Sequence, residues 1–268
     1  MKLKNTFLPA MFLFGVVALS SCEKNDQESV NPTVAAQGQI SRITVDSADV
    51  TSYNFAGKQL SQVNHYNKET GELESFEKYT YDAKGKALKA TTHTGSSHAV
   101  LAEQVFKYDN TGLLRKALTN YFDGSKVAFS TYATFEYDAN SKLEKKSVFE
   151  GQEKKGAKAK SFVKYEVLPN GDLGQEKQYV VGAKGATVLF STTTYSYDNN
   201  KNPFATITEP GKVSSPNNLI ASRTLVHGSK KVYNYKYSYE YDKNGLPLSQ
   251  TVTTPNGKSE TYTYQYSK

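Results

Sequence analysis

The eight residues from Tyr81 to Leu88, YDAKGKAL, decide how this chain is read, because they keep coming back. Related stretches begin at Tyr53 (YNFAGKQL), Tyr108 (YDNTGLL), Tyr137 (YDANSKL), Val167 (VLPNGDL), Tyr197 (YDNNKNPF) and Tyr241 (YDKNGLPL). Counted from Tyr53, successive starts lie 28, 27, 29, 30, 30 and 44 residues apart. Five of the seven keep Tyr-Asp and five keep Gly in the fifth place, with Ser141 and Lys201 in the other two. A fixed period of this length marks one supersecondary unit used repeatedly. The unit contains a tight turn: a carboxylate accepts backbone amides two residues on, and Gly or Asn supplies positive φ where the chain reverses. Asp82, Asp109, Asp138, Asp198 and Asp242 therefore read as turn formers rather than as metal or catalytic carboxylates.

Between consecutive Tyr-Asp stretches lies a second turn, at Lys68 to Gly71, Thr94 to Ser97, Asp123-Gly124, Gly151 to Gly156, Gly182 to Gly185 and Pro255 to Gly257. One unit is thus two strands and two turns. Turn residues removed, roughly ten residues remain per strand, about 30 Å at the usual rise. Seven units predict an all-β, antiparallel up-and-down meander of long hairpins, curled or closed into a barrel-like sheet of about 14 strands. Composition agrees: 20 Tyr, 13 Phe and no Trp, with frequent Thr, Ser and Val, suit strands.

Side chains alternate along a strand, so the residues in phase with each motif Tyr share one face. They include Tyr79 and Tyr81, Phe106 and Tyr108, Phe135 and Tyr137, Tyr165, Tyr195 and Tyr197, and the run Tyr233, Tyr235, Tyr237, Tyr239 and Tyr241. The other phase carries Lys78, Lys107, Glu136, Lys164, Glu166, Lys236 and Glu240. The expected sheet turns the aromatic face inward in water. A membrane barrel would also alternate, but Tyr belongs at the bilayer interface, and here it fills strands from end to end.

This pattern resembles the YD repeats of RHS-type proteins, and the layout of residues 40 to 268 is similar to Bacteroidota lipoproteins of unknown function with a porin-like fold. The unit is longer than the RHS repeat and loses its motif at Val167-Leu168, which favours a simple meander over a spiral shell. The resemblance brings no catalytic residue with it.

The amino terminus reads MKLKNTFLPAMFLFGVVALSSCEKND. Lys2 and Lys4 precede an apolar run from Phe7 to Leu19 too short for a transmembrane helix of about 20 residues, which makes residues 1–21 a signal peptide. Leu19-Ser20-Ser21-Cys22 resembles the lipobox of bacterial lipoproteins, so Cys22, the only cysteine, is the expected lipid attachment site. Residues 22–39 read as a lipidated flexible tether whose acid-rich start is similar to surface-export tethers, and residues 40–268 as a single repeat domain. The expected address is the outer membrane, lipid-anchored, in the periplasmic leaflet or at the cell surface. Loss of Lys2 and Lys4 takes the formal charge from +7 to +5, and no nucleic-acid-binding module accompanies it. The densest basic stretch, Lys145 to Lys160, reads as a solvated hairpin tip.

His65, His93, His98 and His227 form no metal-binding pattern, and no G-x-S-x-G, phosphate loop or H-E-x-x-H motif occurs. No cofactor, metal or catalytic residue is assigned. The expected function is a non-catalytic binding or structural role in the envelope, with a glycan, lipid-like molecule or envelope component as partner. A hydrolase of envelope polymers would need two inward carboxylates facing across a cavity. A true porin would need an apolar outer belt. The irregular 44-residue interval places a loop at Glu209 to Ala221, rich in Pro, Gly, Ser and Asn, expected to fold over one end of the sheet without supporting it. Candidate ligand contacts are Tyr195, Tyr235, Tyr237, Asn217 and Asn218.

Overall fold

The computed structural model describes residues 38–154, 156–207 and 209–267; the signal peptide, Cys22 and nearly all of the tether lie outside them. Sixteen strands follow one another: β1 (Ile40–Val45), β2 (Ala48–Ala56), β3 (Gln59–Tyr66), β4 (Leu73–Tyr81), β5 (Ala87–Thr94), β6 (Val100–Tyr108), β7 (Leu114–Asp123) and β8 (Lys126–Tyr137) form the first half. The second half is β9 (Leu143–Glu150), β10 (Ser161–Val167), β11 (Leu173–Val181), β12 (Thr187–Lys201), β13 (Asn217–Val226), β14 (Lys231–Tyr241), β15 (Pro247–Thr253) and β16 (Ser259–Tyr266). Each pairs antiparallel with its sequence neighbours, and β1 pairs with β16, closing a barrel. The seven repeat turns account for β2 to β15. The two further strands are the closing pair: β1 turns into β2 through Asp46-Ser47, both at positive φ (49° and 68°), the geometry a two-residue hairpin demands.

All the Tyr-Asp turns lie at one end of the barrel, as do the start of β1 and the end of β16. Asp82 Oδ1 accepts the Lys84 and Lys86 amides at 2.8 and 2.9 Å, and Asp109, Asp138 and Asp242 repeat this pattern. Ser141 takes φ of 62° where other units have Gly. The motif tyrosine has a role that spacing alone did not disclose. In three units its hydroxyl donates to a backbone carbonyl of the preceding unit, Tyr81 to Leu60, Tyr108 to Ala87 and Tyr137 to Leu114, at 2.6 to 3.0 Å, and Tyr266 of the closing strand does the same to Pro247 at 2.7 Å. Each of these bonds ties one unit to the one before it.

The loop of the irregular interval differs from expectation in extent and in place. Asn217 to Ala221 belong to β13, and the connecting segment is 202–216. Its side chains touch opposite walls, which only a path through the lumen allows. Phe204 meets Tyr53 and Tyr264, Ile207 packs with Phe55, Leu60 and Val63, and Val213 joins the cluster of Phe106, Leu114, Phe135 and Leu143. Gly211 lies so close to the wall that a Cβ there would sit 2.4 Å from the Phe135 ring. The segment is a plug that supplies the apolar surface a barrel of this width needs for a core at this end. Asp172, 1% exposed, accepts the Asn217 amide and side chain and fixes where the plug rejoins the wall.

The basic hairpin tip is exposed, as expected. It folds back along the outer wall, where Glu153 pairs with Lys116 of β7 and Gly151 donates to the Ser130 carbonyl at 2.8 Å. The stacked Tyr132 and Phe149 rings lie on this stretch of wall, with Tyr132 5% exposed.

Candidate functional site

Register and alternation sort the wall into two faces of opposite chemistry. Outward positions carry Lys78, Lys107, Lys116, Glu136, Lys145, Lys164, Glu166, Lys177, Arg223, Lys236 and Glu240, spread along the strands. Outward ion pairs link Lys89 with Glu103 and Lys145 with Glu136. Outward aromatic rings are covered by polar neighbours: His93 stacks on Phe76 at 4.7 Å, with Lys78 above the same ring, and Lys145 lies over Phe162. This accounts for His93. His227 bonds Thr192 at 2.9 Å, and His65 faces inward near Glu77 and Glu74, where burial lowers its proton affinity.

The inward face above the plug consists largely of uncharged hydroxyl, amide and tyrosine groups: Thr92, Gln104, Thr119, Thr131, Gln178, Thr193, Ser222, Thr224 and Gln250, among Tyr79, Tyr121, Tyr165, Tyr195, Tyr235, Tyr237 and Tyr262. These side chains become more accessible with distance from the Tyr-Asp end. On β8, Phe135 is 3% exposed and Phe129, in the same phase and stacked on Tyr121, is 56% exposed. The lumen is closed at one end and reaches solvent at the other.

Where β11 to β16 face the plug there is a cavity of about 370 Å³. Its walls include Tyr195, Tyr197, Tyr239, Tyr264 and Phe204, with Asn202, Ser214, Asn217, Asn218 and Gln250. Of the expected contacts, Tyr195, Asn217 and Asn218 line it. Tyr235 stands in one rung with Tyr195 across Ser222, and Tyr237 lies one step further along β14, both on the lumen face beside the cavity. The amides of Asn217 and Asn218 are engaged structurally: Asn217 with Asp172, and Asn218 with the carbonyls of Asn200 and Lys201. Aromatic periodicity singled out the tyrosines, but nothing in the sequence announced Phe204, Tyr264 or Gln250, which the plug and the β16 closure bring into place.

Hydroxyls here divide into bound and unbound. Tyr239 donates to the Leu219 carbonyl and accepts from Gln250, and Tyr197 accepts from Ser215. Burial raises the Tyr197 phenol to about 12. Tyr53, Tyr165 and Tyr264 have no hydrogen-bond partner among the described residues, and no fully buried side-chain atom among those residues is left unsatisfied. Their hydroxyls therefore open onto the lumen. Burial, and then nearby Glu77 for Tyr53 and Glu176 for Tyr165, keeps both phenols protonated donors. Five carboxylates among the described residues stand in the inward phase or on the plug, and of these Glu150, opposite Thr131, pairs with Lys160 at 3.0 Å. Glu77 accepts the Tyr79 hydroxyl, Glu260 is held by Lys68 and Tyr262, Glu209 of the plug pairs with Lys212 at 2.6 Å, and Glu176 forms no ion pair among the described residues.

No protein-family model matches this chain, and no curated sequence does. Among solved structures, a porin-like protein from Bacteroides uniformis ATCC 8492 is similar over 88% of this chain and all of its own, at 15% identity and a TM-score of 0.50. Another porin-like protein, from Bacteroides vulgatus ATCC 8482, covers 85% of this chain and 98% of its own at 12% identity and a TM-score of 0.49. At these identities the first likeness is one of fold.

Proposed function

We propose that this chain is a lipid-anchored protein of the cell envelope that holds a saccharide in the lumen of a water-immersed barrel, without catalysis. The observation that carries this reading is the distribution of charge: lysines and glutamates outside, hydroxyls, amides and tyrosine rings inside. A membrane-spanning barrel needs an apolar outward band about 25 Å tall, and charges spread along the outer strands oppose that. A lumen of uncharged donors and acceptors beside aromatic faces suits a ligand that is polar on its edges and apolar on its ring faces. The fold likeness to a porin-like Bacteroides protein agrees with an envelope setting. Non-catalysis is supported by the inward carboxylates, most of which are already engaged by neighbours. Since β1 begins at the Tyr-Asp end, an anchor at Cys22 leaves the plugged end nearer the membrane and the open mouth away from it.

The test uses Cys22→Ala. Expressed in a bacterial host that processes lipoproteins, it should lose a palmitate-analogue label and move to the soluble fraction. Applied to a glycan array, the released protein should bind a restricted set of saccharides. Persistent labelling would sink the anchor, and a blank array the saccharide.

A further inference from the structure

The lumen wall carries few charges, and two of them stand together without pairing. Lys146 of β9 points inward opposite Val163 of β10, Tyr165 of β10 lies opposite Glu176 of β11, and Tyr195 of β12 is on the far side of Glu176. Away from the rim, Lys146 is the one lysine of the inward phase among the described wall residues. It stands opposite Phe135, with Nζ over that ring 5.7 Å from the centroid. It has no ion-pair partner within 4 Å and no hydrogen bond among the described residues. Glu176 is directed by the Tyr195 hydroxyl. The plug brings Glu209 and Lys212 within electrostatic range of Lys146, but these two residues pair with each other.

Opposite charges in a half-buried site attract strongly, and flexible side chains would close on one another unless held. Here the Phe135 ring holds the ammonium and Tyr195 the carboxylate, and on the strand between them stands Tyr165, whose hydroxyl has no partner among the described residues. Side by side on the inward face, Lys146, Glu176 and Tyr165 present a cation, a carboxylate and an aromatic ring. A guest that satisfies all three carries a carboxylate for Lys146, hydroxyls to donate to Glu176, and an apolar ring face for Tyr165. A uronic-acid ring has this combination.

Resting on the saccharide reading above, we propose that Lys146, Tyr165 and Glu176 form a subsite for the acidic ring of a uronate-containing saccharide. Lys146 takes the carboxylate in a charge-assisted hydrogen bond, Glu176 accepts from adjacent ring hydroxyls, and Tyr165 packs on the ring.

Calorimetry on the full chain in mild detergent tests this with matched probes: oligogalacturonates and oligoglucuronates, each against its fully methyl-esterified form, which keeps the ring and removes the charge. At least one acid should bind about tenfold more tightly than its ester, as one charge-assisted contact implies. Lys146→Met keeps an unbranched stem opposite Phe135 and should abolish that preference while leaving ester affinity within about twofold, and Lys146→Arg should retain it. Glu176→Gln should weaken acid and ester alike. Acids binding no better than their esters, or a preference that survives Lys146→Met with melting unchanged, overturns the subsite while the saccharide reading stands. If neither member of any pair binds, this uronate subsite falls; if the glycan array is blank as well, the saccharide reading falls with it.

Discussion

The two ends of this barrel are built on different terms. At the Tyr-Asp end four turns repeat the same aspartate hydrogen bonds, three motif tyrosines donate to a carbonyl of the preceding unit, and the plug fills the bore with Phe204, Ile207 and Val213. At the other end the turns range from the two residues Asp46-Ser47 to the long folded-back segment after Glu150, and Phe129 and Val188 of the inward phase are more than half exposed. Sequence repetition therefore tracks the packed end. A turn that must place a tyrosine against its neighbour and close on a filled core tolerates few variants, whereas one at an open rim is constrained only by the strands it joins.

The sharpest way to break this contrast is to remove the plug. Replacing residues 203–215 by a short Asn-Gly turn should cost on the order of 5 kcal/mol, the burial of its three large apolar side chains, and denaturant titration should show a much lower midpoint or no cooperative transition. An unchanged midpoint would mean the plug is a guest in a self-sufficient barrel.

A smaller change probes the same difference at single glycines. Gly211 has φ of +83° with the Phe135 ring in its path, while Gly257, at the open end, has φ of +82° and nothing within 4 Å. Gly211→Val should destabilise by about 3 kcal/mol through strain and overpacking, and Gly257→Val by about 1 kcal/mol through backbone strain alone. Equal losses in urea melts would place the two glycines in equivalent surroundings.

The mildest test is acid. The Thr111 hydroxyl, then Arg115 and the Leu113 amide, hold the Asp109 carboxyl well below the usual carboxylate range. A depressed folded-state value contributes stability that is present above the unfolded value near 3.9 and is lost as pH falls toward the folded one. Wild type should thus melt above Asp109→Asn at pH 7, with the gap closing below about pH 4. The Pro255-Asn256-Gly257 turn has no carboxylate, so Asn256→Ser should shift melting equally at both pH values. A gap between wild type and Asp109→Asn that does not change with pH would remove the carboxylate from the account of the turn.

Much of this was written locally. The Tyr-Asp period gave the strands, the turn role of the aspartates and the inward face, because a turn and an alternation each depend on residues within one unit. Closure was not local. β1 and β16 pair across the whole chain, and neither carries a repeat that would have added it to the count of about 14. The tyrosines near the cavity stood out by composition, but Lys146 looked like one lysine in a basic run. Only the register of β9 against β10 separates it from outward Lys145. The plug was visible as an interval too long for a turn, yet Pro210, Gly211 and Asn217 read the same whether the loop lies over the rim or inside the bore. Sequence determined what each unit would do alone. Tertiary structure decided where the surplus went, because a closed wall this wide leaves a space at its packed end that only a segment from elsewhere in the chain fills.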